Sequence, residues 1–441
     1  MDKYSKAEIR KIVEEEGVEF IRLQFTDMFG MLKNIAVPAR RLIKAMENCC
    51  TIDLASLEGF SGWEEEELYL KPDMDTFAIL PWKPQNGKVA RFICDVCMED
   101  GTEYEISPRL VLKKVLDNAA QKGYRFLVDP ECEFFLFHTD DDGMPTTLTH
   151  EKAGYLDTSP IDLGENTRRD IILTLEEMGY EIVSSHHEIA AAQHEIDFDF
   201  DEALATADKV MTFKVAVRTI AKRYGLHATF MPKPRKELNG SGMHLNMKLI
   251  KDGKNVFTAE DGTLSPLGEA FMAGIFEHIE GMTAIFNPLV NSYKRLVPGF
   301  EAPSEITWSR RQRNTLIRVK ENKKNGVSLE LRSPDASANP YIAFAVCLQA
   351  GLDGIEKKLK APNELTCDIR RLTMEEKMQM GIHGLPENLG EALKAMKCDQ
   401  MLAETLGKDY LSLYVKAKRK EWKNYLEQIT PWELSQYLYR I

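Results

Sequence analysis

The sequence predicts an α+β protein in two parts, a small β-rich unit over residues 1–105 and a larger unit over 106–441 in which strands alternate with long helices. Three observations predict it. Apolar and polar residues alternate from Val18 to Phe25 and resume from Met31 to Val37, around a turn at Phe29-Gly30, as in a hairpin with one solvated face. From Ser107 onward, helix start and stop signals recur between short strand-like runs. Of the 441 residues 44% are hydrophobic, enough to bury more than one core, and no internal repeat or low-complexity linker interrupts them. The boundary near residue 105 rests on the change of pattern alone.

The elements follow in order. Ser5-Lys-Ala-Glu8 is a capping box, a serine oxygen for the first free N–H groups and a glutamate reaching back, and it opens a helix to about Glu16. After the hairpin, a further strand runs from Val89 to Val96. Cys94 and Cys97 form a C-x-x-C on that strand with no second ligand pair nearby, which makes them buried thiols rather than a zinc site. Ser107 and Pro108 supply an N-cap and an N1 proline for a helix that stops at Gly123. Glu131 to Phe137 is strand-like, Thr167 to Met178 is helical with Gly179 as its stop, and residues 181–189 and 193–200 are two more strands. Long helices cover 201–224 and 265–285. Gly242 to Leu249 and Val256 to Thr258 flank a hairpin turn at Lys251-Asp-Gly253. From Glu391 two or three helices lead to the end, the last over Trp432 to Ile441.

Composition excludes several functions. There are 57 Lys+Arg against 69 Asp+Glu, a formal net charge of −12, and the basic residues are scattered through the chain, which argues against a generic binder of nucleic-acid backbone. No apolar stretch approaches the roughly 20 residues that span a bilayer, and Met1-Asp2-Lys3-Tyr4-Ser5 leads into a charged helix without a secretory apolar core. The chain therefore reads as cytoplasmic, with neither nucleic acid nor membrane as partner.

The chemistry lies in the strands. Glu131 and Glu133 are two apart, so on a strand both point to one face while Cys132 and Phe134 point to the other. Like charges this close raise each other's pKa unless cations neutralise them, which makes a divalent metal an economical explanation. His187-Glu188 and His194-Glu195 add a carboxylate each from two further strands. A solvated strand face is the simpler reading of any single pair, but several such groups together change the odds. His244 follows the glycine-containing loop Asn239-Gly-Ser-Gly-Met, where backbone can approach a ligand closely. Glu330 and Arg332 share another strand face. Glutamates with one or two imidazoles suit Mg²⁺ or Mn²⁺ rather than a thiolate-bound metal. Arg295, Arg313, Arg318 and Arg332, in the same stretch of chain as Glu301 and Glu330, suit bidentate contacts to phosphate and carboxylate. Metal-assisted phosphoryl transfer is the reaction class that these groups fit.

Several strings then carry a resemblance: His186-His-Glu-Ile-Ala-Ala-Ala-Gln-His-Glu-Ile-Asp-Phe198, His227-Ala-Thr-Phe-Met-Pro-Lys-Pro234, Asn239-Gly-Ser-Gly-Met-His244, Asn291-Ser-Tyr-Lys-Arg-Leu-Val-Pro-Gly-Phe-Glu-Ala-Pro303 and Asn339-Pro-Tyr341. Together with Phe25-Thr-Asp27 and Trp432-Glu433 they make essentially the whole chain resemble type I bacterial or archaeal glutamine synthetase. The resemblance implies a small β-grasp-like N-terminal domain followed by a catalytic domain with an open, funnel-like antiparallel sheet flanked by helices. It implies a homo-oligomer, a dodecamer of two hexameric rings with sites between adjacent subunits. By position Glu131, Glu133, Glu188, Glu195, His244 and Glu330 match ligands for two Mg²⁺ or Mn²⁺ ions per active site. Arg295 and Arg332 match residues holding the glutamate carboxylates, and Asn239 and Gly240 the loop contacting the amino acid. Arg313 and Arg318 match residues at the ATP phosphates, Glu301 the flap over the intermediate, and Asp53 the ammonium-binding base given by the neighbouring subunit. The implied reaction is ATP-dependent ligation of ammonia to glutamate through γ-glutamyl phosphate, with glutamate, ammonium and ATP as substrates.

The sequence also departs from that family. The loop at Asp53 reads Asp53-Leu-Ala-Ser56, with Leu54 where Gly is usual, which removes any φ > 0 conformation there. Ala191-Ala192 replaces a usual Pro-Gly. Val183, Lys248 and Ser328 differ at nucleotide-site positions. Gly62 stands where an Arg tied to glutamine feedback is frequent, and Arg370 where some members carry an adenylylated tyrosine, so neither control is expected. Two alternatives stay open: a γ-glutamyl ligase acting on an organic amine, and a catalytically weakened regulatory paralogue that partners an active synthetase or a nitrogen-responsive regulator.

Overall fold

The computed structural model describes residues 4–47, 50–59, 67–82 and 87–441. Its first helix, Lys6–Glu15, begins as the capping box requires: Ser5 Oγ accepts from the Glu8 N–H at 3.3 Å and the Ser5 N–H donates to Glu8 Oε2 at 2.7 Å. The helix buries Ile9 and Val13 against a five-stranded sheet. Its order is Leu32–Pro38, Val18–Thr26, Lys88–Cys97, Glu67–Ile79, Cys50–Asp53. Val18–Thr26 pairs antiparallel with its hairpin partner and parallel with Lys88–Cys97, the mixed arrangement of a β-grasp. The central Lys88–Cys97 strand is buried along nearly its whole length, and Cys94 and Cys97 are free, buried thiols. Strands Cys50–Asp53 and Glu67–Ile79 carry no clean alternation in the sequence and were not among the expected elements.

In the second unit the strand expected at Glu131–Phe137 extends over Tyr124–His138 and forms the spine of a ten-stranded sheet. The order across the spine is Trp308–Ser309, Ile317–Asn322, Gly326–Leu331, Met243–Lys251, Tyr124–His138, Gln193–Phe198, Ile182–His187. All these neighbours are antiparallel except Trp308–Ser309 with Ile317–Asn322. The sheet is nearly closed, like a funnel. Helices Pro108–Gln121 and Ala203–Arg223 pack against its spine strand. The Met243–Lys251 hairpin is tighter than expected: its partner strand is Lys254–Asn255, Asp252 and Gly253 both take positive φ (49° and 74°), and of the expected Val256 to Thr258 only Val256 bonds back, its N–H to Leu249 O at 2.9 Å.

Two further differences have simple causes. Pro340–Lys357 is a long helix buried on nearly every side, so it shows no amphipathic period to read. The C-terminal region holds four helices, Leu389–Cys398, Gln400–Leu406, Lys408–Leu426 and Pro431–Tyr437, because Asp399 and Gly407 break one periodic stretch into three.

The Arg109 guanidinium binds carboxylates of both units. Arg109, at the start of the Pro108–Gln121 helix, donates to Asp95 Oδ1 at 2.7 Å and Asp73 Oδ2 at 2.7 Å from the first sheet. It reaches Asp208 Oδ1 and Oδ2 at 3.1 and 2.9 Å from the Ala203–Arg223 helix, and Tyr341 also donates to Asp208 at 2.6 Å. Three carboxylates around one buried guanidinium compensate the cost of taking its charge out of water.

Candidate active site

Strand pairing assembles the acidic groups. The pleat of Tyr124–His138 turns Cys132 and Phe134 into the core and Glu131 and Glu133 to the opposite face. Register places Glu131 across from His244 and Asp197, Glu133 across from Glu195, and Glu330 across from Asn246 and Arg318. Ligand atoms of Glu131, His244 and Glu330 lie within 4.8 Å of one another, as do those of His186, Glu188 and Glu195. Glu133 stands between the two groups, its Oε1 3.9 Å from His244 Nε2. His186 was not among the expected ligands; its Nε2 is 2.9 Å from Glu188 Oε1.

The charges are unevenly balanced. Burial would raise Glu131, but the His244 hydrogen bond and the Lys320 ammonium outweigh it and hold the carboxyl well below the usual range. Burial likewise acts on Glu188, and there the His186 hydrogen bond and the Ile189 N–H win. Glu133 is pushed up by burial despite His244, and Glu195 is pushed well up by burial and by Asp197, Glu133 and Glu131. Glu330 Oε2 is buried without a hydrogen-bond donor. Crowded carboxylates raised by one another, an imidazole and an unsatisfied buried oxygen form a hard donor set that fits divalent cations.

A pocket opens beside them, lined by Glu133, Glu188, Gln193, His244 and Arg332 on the sheet side, by Arg295 at the end of the Val290–Lys294 turn, and by Asn239, Gly240, Phe300, Glu301 and Ala302 on the loop side. Arg295 is buried and held by Ser333 O at 2.8 Å and Arg332 O at 3.1 Å. Arg332 Nη1 contacts Glu330 Oε1 at 2.5 Å; Arg332 follows directly on the Gly326–Leu331 strand rather than lying within it. The loop glycines serve close approach: a Cβ on Gly240 would stand 2.1 Å from Pro232 O, and one on Gly242 2.6 Å from Arg295 Nη2.

Other expected site residues lie elsewhere. Arg318 contacts the cluster at 3.6 Å from Glu330 Oε2, whereas Arg313 is solvent-exposed and does not line the pocket. Asp53 ends a strand of the five-stranded sheet and does not line the pocket either. Its Oδ1 accepts from Ala55 N at 2.9 Å and its Oδ2 from Ser56 Oγ at 2.5 Å. Leu54 is fully buried in the following 3₁₀ turn and needs no positive φ, so the change from Gly leaves this loop unstrained. Ala192 does adopt a positive φ of 66°, and its N–H donates to Glu151 Oε1 at 2.7 Å. Val183 is exposed on an edge strand, the Lys248 ammonium lies 3.8 Å from the centre of the Phe200 ring, and Ser328 is buried opposite Lys320. Arg370 is exposed and paired with Asp368, and Gly62 lies outside the described residues.

A second buried group, Glu151, Asp162, His187 and His194, was not foreseen. Its members bond one another and the backbone: Glu151 to His187 at 2.7 Å and to the Leu163 N–H at 2.7 Å, Asp162 to Arg168 at 2.7 Å. This network anchors the 151–164 loop and the turn before Gln193. Three further site residues escaped notice. Gln193 donates to Glu133 Oε2 at 2.8 Å, Asn246 to Glu131 Oε1 at 2.9 Å and Lys320 to Glu131 Oε1 at 2.8 Å. Each lies two residues from an assigned one, Glu195, His244 and Arg318 respectively, so the same period-two rule points to them.

Comparison with known proteins gives one answer along the chain. The family model described as the glutamine synthetase beta-Grasp domain matches residues 17–99, and that of the glutamine synthetase catalytic domain matches residues 105–437. Glutamine synthetase of Clostridium saccharobutylicum is 52% identical over 99% of each chain, and that of Staphylococcus aureus strain Mu50 is 47% identical over 99% of this chain and 98% of its own. Among solved structures, the ADP complex of GmaS superposes with a TM-score of 0.88 at 33% identity, covering 98% of this chain and 99% of the other. Plasmodium falciparum glutamine synthetase shares the fold, with a TM-score of 0.87 at 24% identity over 99% of both chains.

Proposed function

The chain belongs to the glutamine synthetase family, and from that premise we propose how its pocket makes glutamine. The protein is an enzyme that joins ammonia to glutamate at the expense of ATP. The observation that carries the residue assignment is the convergence of Glu133, Glu188, His244, Arg295, Glu301 and Arg332 on one pocket.

In the proposed sequence, Arg295 and Arg332 bind glutamate carboxylate oxygens and Asn239 and Gly240 position the rest of the amino acid. The γ-carboxylate attacks the terminal phosphorus of ATP, ADP leaves, and an acyl phosphate forms. Ammonia then attacks the acyl carbon, phosphate leaves with the C–O bond electrons, and the extra proton on the new amide nitrogen passes to the departing phosphate. Arg318 and Arg313 steady phosphate oxygens, Arg313 swinging in from its exposed position. Glu301, on the loop side of the pocket, closes over the acyl phosphate and keeps water out. Asp53 binds ammonium and takes its proton. Since Asp53 is exposed and absent from its own pocket, it is assigned to the site of a neighbouring subunit. That arrangement supports a homo-oligomer, and we place it as a dodecamer of two hexameric rings.

Glu131, His244 and Glu330 on one side, and Glu133, Glu188 and Glu195 on the other, would hold two Mg²⁺ or Mn²⁺ ions. When bound, such ions offset negative charge on the transferred phosphoryl group. That GmaS, a relative of the same fold, is solved as an ADP complex supports ATP as the nucleotide substrate here. Among the described residues no helix is long and apolar enough to cross a membrane, which accords with a cytoplasmic enzyme. A nitrogen-responsive regulator is the partner class we assign beyond the subunits themselves.

The test follows phosphate release with ATP, Mg²⁺ and glutamate, offering ammonium or a panel of amines. Ammonium-stimulated turnover that Asp53→Ala reduces at least a hundredfold is expected. Turnover with an amine alone would transfer the assignment to an amine ligase, and none with any acceptor in assembled, metal-loaded protein would refute it.

A further inference from the structure

Lys320 occupies a place that the proposed chemistry has not used. It sits on the Ile317–Asn322 strand, two residues from Arg318, and its Nζ lies 2.8 Å from Glu131 Oε1 and 3.2 Å from Glu330 Oε2. The second contact lacks hydrogen-bond alignment, which is why Glu330 Oε2 remains a buried acceptor without a hydrogen bond. The ammonium therefore stands between two of the three groups assigned to one metal ion.

Charge decides what this means. The Glu131–His244–Glu330 set holds two carboxylates, and three side-chain cations already face them. Arg332 is 2.5 Å from Glu330 Oε1, Arg318 3.6 Å from Glu330 Oε2, and Lys320 touches both carboxylates. A divalent ion arriving there meets carboxylates whose charge is already compensated. The Glu133, Glu188 and Glu195 carboxylates have no such excess: His186 bonds Glu188, and Arg295 acts on Glu133 without contacting it. Of the cations at the first set, Arg332 is fixed by a short contact to a buried carboxylate, and Arg318 stands farther off. Lys320 combines close contact with freedom to leave, since its side chain retains 30% of its accessible surface on a flexible four-carbon stem. A lysine paired on an open surface would merely be a weak ion pair. Here its partners retain only 18% and 1% of theirs, so their charge is poorly screened by water.

We propose that Lys320 is a tethered cation that competes with the divalent ion for the Glu131–His244–Glu330 ligand set, swinging toward solvent when the ion binds. The proposal rests on the metal-site reading above. It makes Lys320 a positioning residue that keeps the empty ligand set charge-balanced and sets the free ion concentration at which the set fills.

The experiment titrates full-length, assembled protein with Mn²⁺ in the absence of substrates and reads free Mn²⁺ by its electron paramagnetic resonance signal. Wild type is compared with Lys320→Met, Lys320→Gln and Lys320→Arg, with assembly checked by size exclusion. Removing the charge in the Met and Gln variants is expected to tighten one class of bound Mn²⁺ by about tenfold or more, leaving the other class and the Arg variant as in wild type. Unchanged or weaker binding in Lys320→Met and Lys320→Gln overturns the proposal, and so does equal tightening in Lys320→Arg, because charge would not then be the cause. Wild-type protein that binds no Mn²⁺ at all overturns the metal-site reading itself.

Discussion

Gly242→Ala tests whether the pocket works by fixed geometry. A Cβ at this position would stand 2.6 Å from Arg295 Nη2 and 3.0 Å from His244 Nε2, against the 3.4 Å at which ordinary contact begins. The guanidinium must therefore retreat by about 0.8 Å, the difference of those two distances. An exposed arginine would do so at little cost. Arg295 is buried, and its Nη1 and Nη2 are held by Ser333 O and Arg332 O at 2.8 and 3.1 Å, so retreat lengthens both bonds or turns the fork away from the pocket. The imidazole on the other side is pressed toward Glu131, whose Oε2 is 3.1 Å from His244 Nδ1. The backbone N–H that Gly242 gives to Glu133 Oε2 at 2.8 Å is retained, so the substitution removes no hydrogen bond by itself. Misplacing a binding group by close to 1 Å costs roughly a hundredfold in rate, equivalent to about 2.7 kcal/mol. Steady-state kinetics with glutamate varied should show kcat/KM reduced by about that factor, with KM for glutamate carrying much of the loss. Assembly is expected to persist, with unfolding free energy lowered by about 1–3 kcal/mol from the overpacked guanidinium. A correctly assembled Gly242→Ala enzyme within threefold of wild-type kcat/KM would refute the claim that Arg295 binds substrate from a rigid position.

Two further outcomes concern the scaffold. Arg109→Met leaves Asp73, Asp95 and Asp208 without their shared guanidinium, although Lys113 still holds Asp95 and Tyr341 still holds Asp208. Breaking so buried a set should cost about 3–5 kcal/mol in urea unfolding, and a loss below about 1 kcal/mol would show that the pairing does not hold the two units together. Lys214 is buried and its ammonium is pushed down to about 8 from 10.5, by burial first. The unfolded chain therefore binds more protons between those values, and stability rises with pH across that window, the charged form being penalised below it. Relative to Lys214→Met, wild type should gain about 2–3 kcal/mol of unfolding free energy between pH 7 and pH 10. A difference that stays constant with pH would sink the assignment of a strained buried ammonium.

Much of the site was legible because the pleat of a strand is a local rule. Glu131 and Glu133 share a face whatever they pair with, and so do Gln193 and Glu195, His244 and Asn246, Arg318 and Lys320. Which strand lies beside which is not local, and it is register that turns separate pairs into one cluster, bringing Glu330 opposite Asn246 and Glu133 opposite Glu195. The Pro340–Lys357 helix and the full length of Tyr124–His138 were hidden for a related reason, since burial on more than one side erases the period that reveals an element. The two substituted loops show the limit from the other direction. Leu54 and Ala192 look alike as replacements for glycine. Leu54 is absorbed by the core in a turn of ordinary φ, while Ala192 keeps a left-handed backbone, a cost of about 1–2 kcal/mol that its hydrogen bond to Glu151 helps offset.

The formal charge of −12 shows what composition hides and geometry supplies. Summed over the chain it argues against a nucleic-acid backbone as partner and says nothing about where the charge acts. On the sheet, five of the carboxylates behind that surplus form two neighbouring sets that nearby cations balance unevenly. Glu131 is held well below the usual carboxylate range by His244 and Lys320 against its burial, and Glu195 is pushed well above it by burial and by Asp197, Glu133 and Glu131. Groups of one chemical type on adjacent strands thus differ in how strongly they call for an external cation. The difference comes from a few side chains at alternate positions, among them Lys320, which contacts both carboxylates of the first set. An acidic surplus becomes a catalytic device only where some of its charges are left unbalanced, and the placement of Lys, Arg and His around the sheet decides which ones those are.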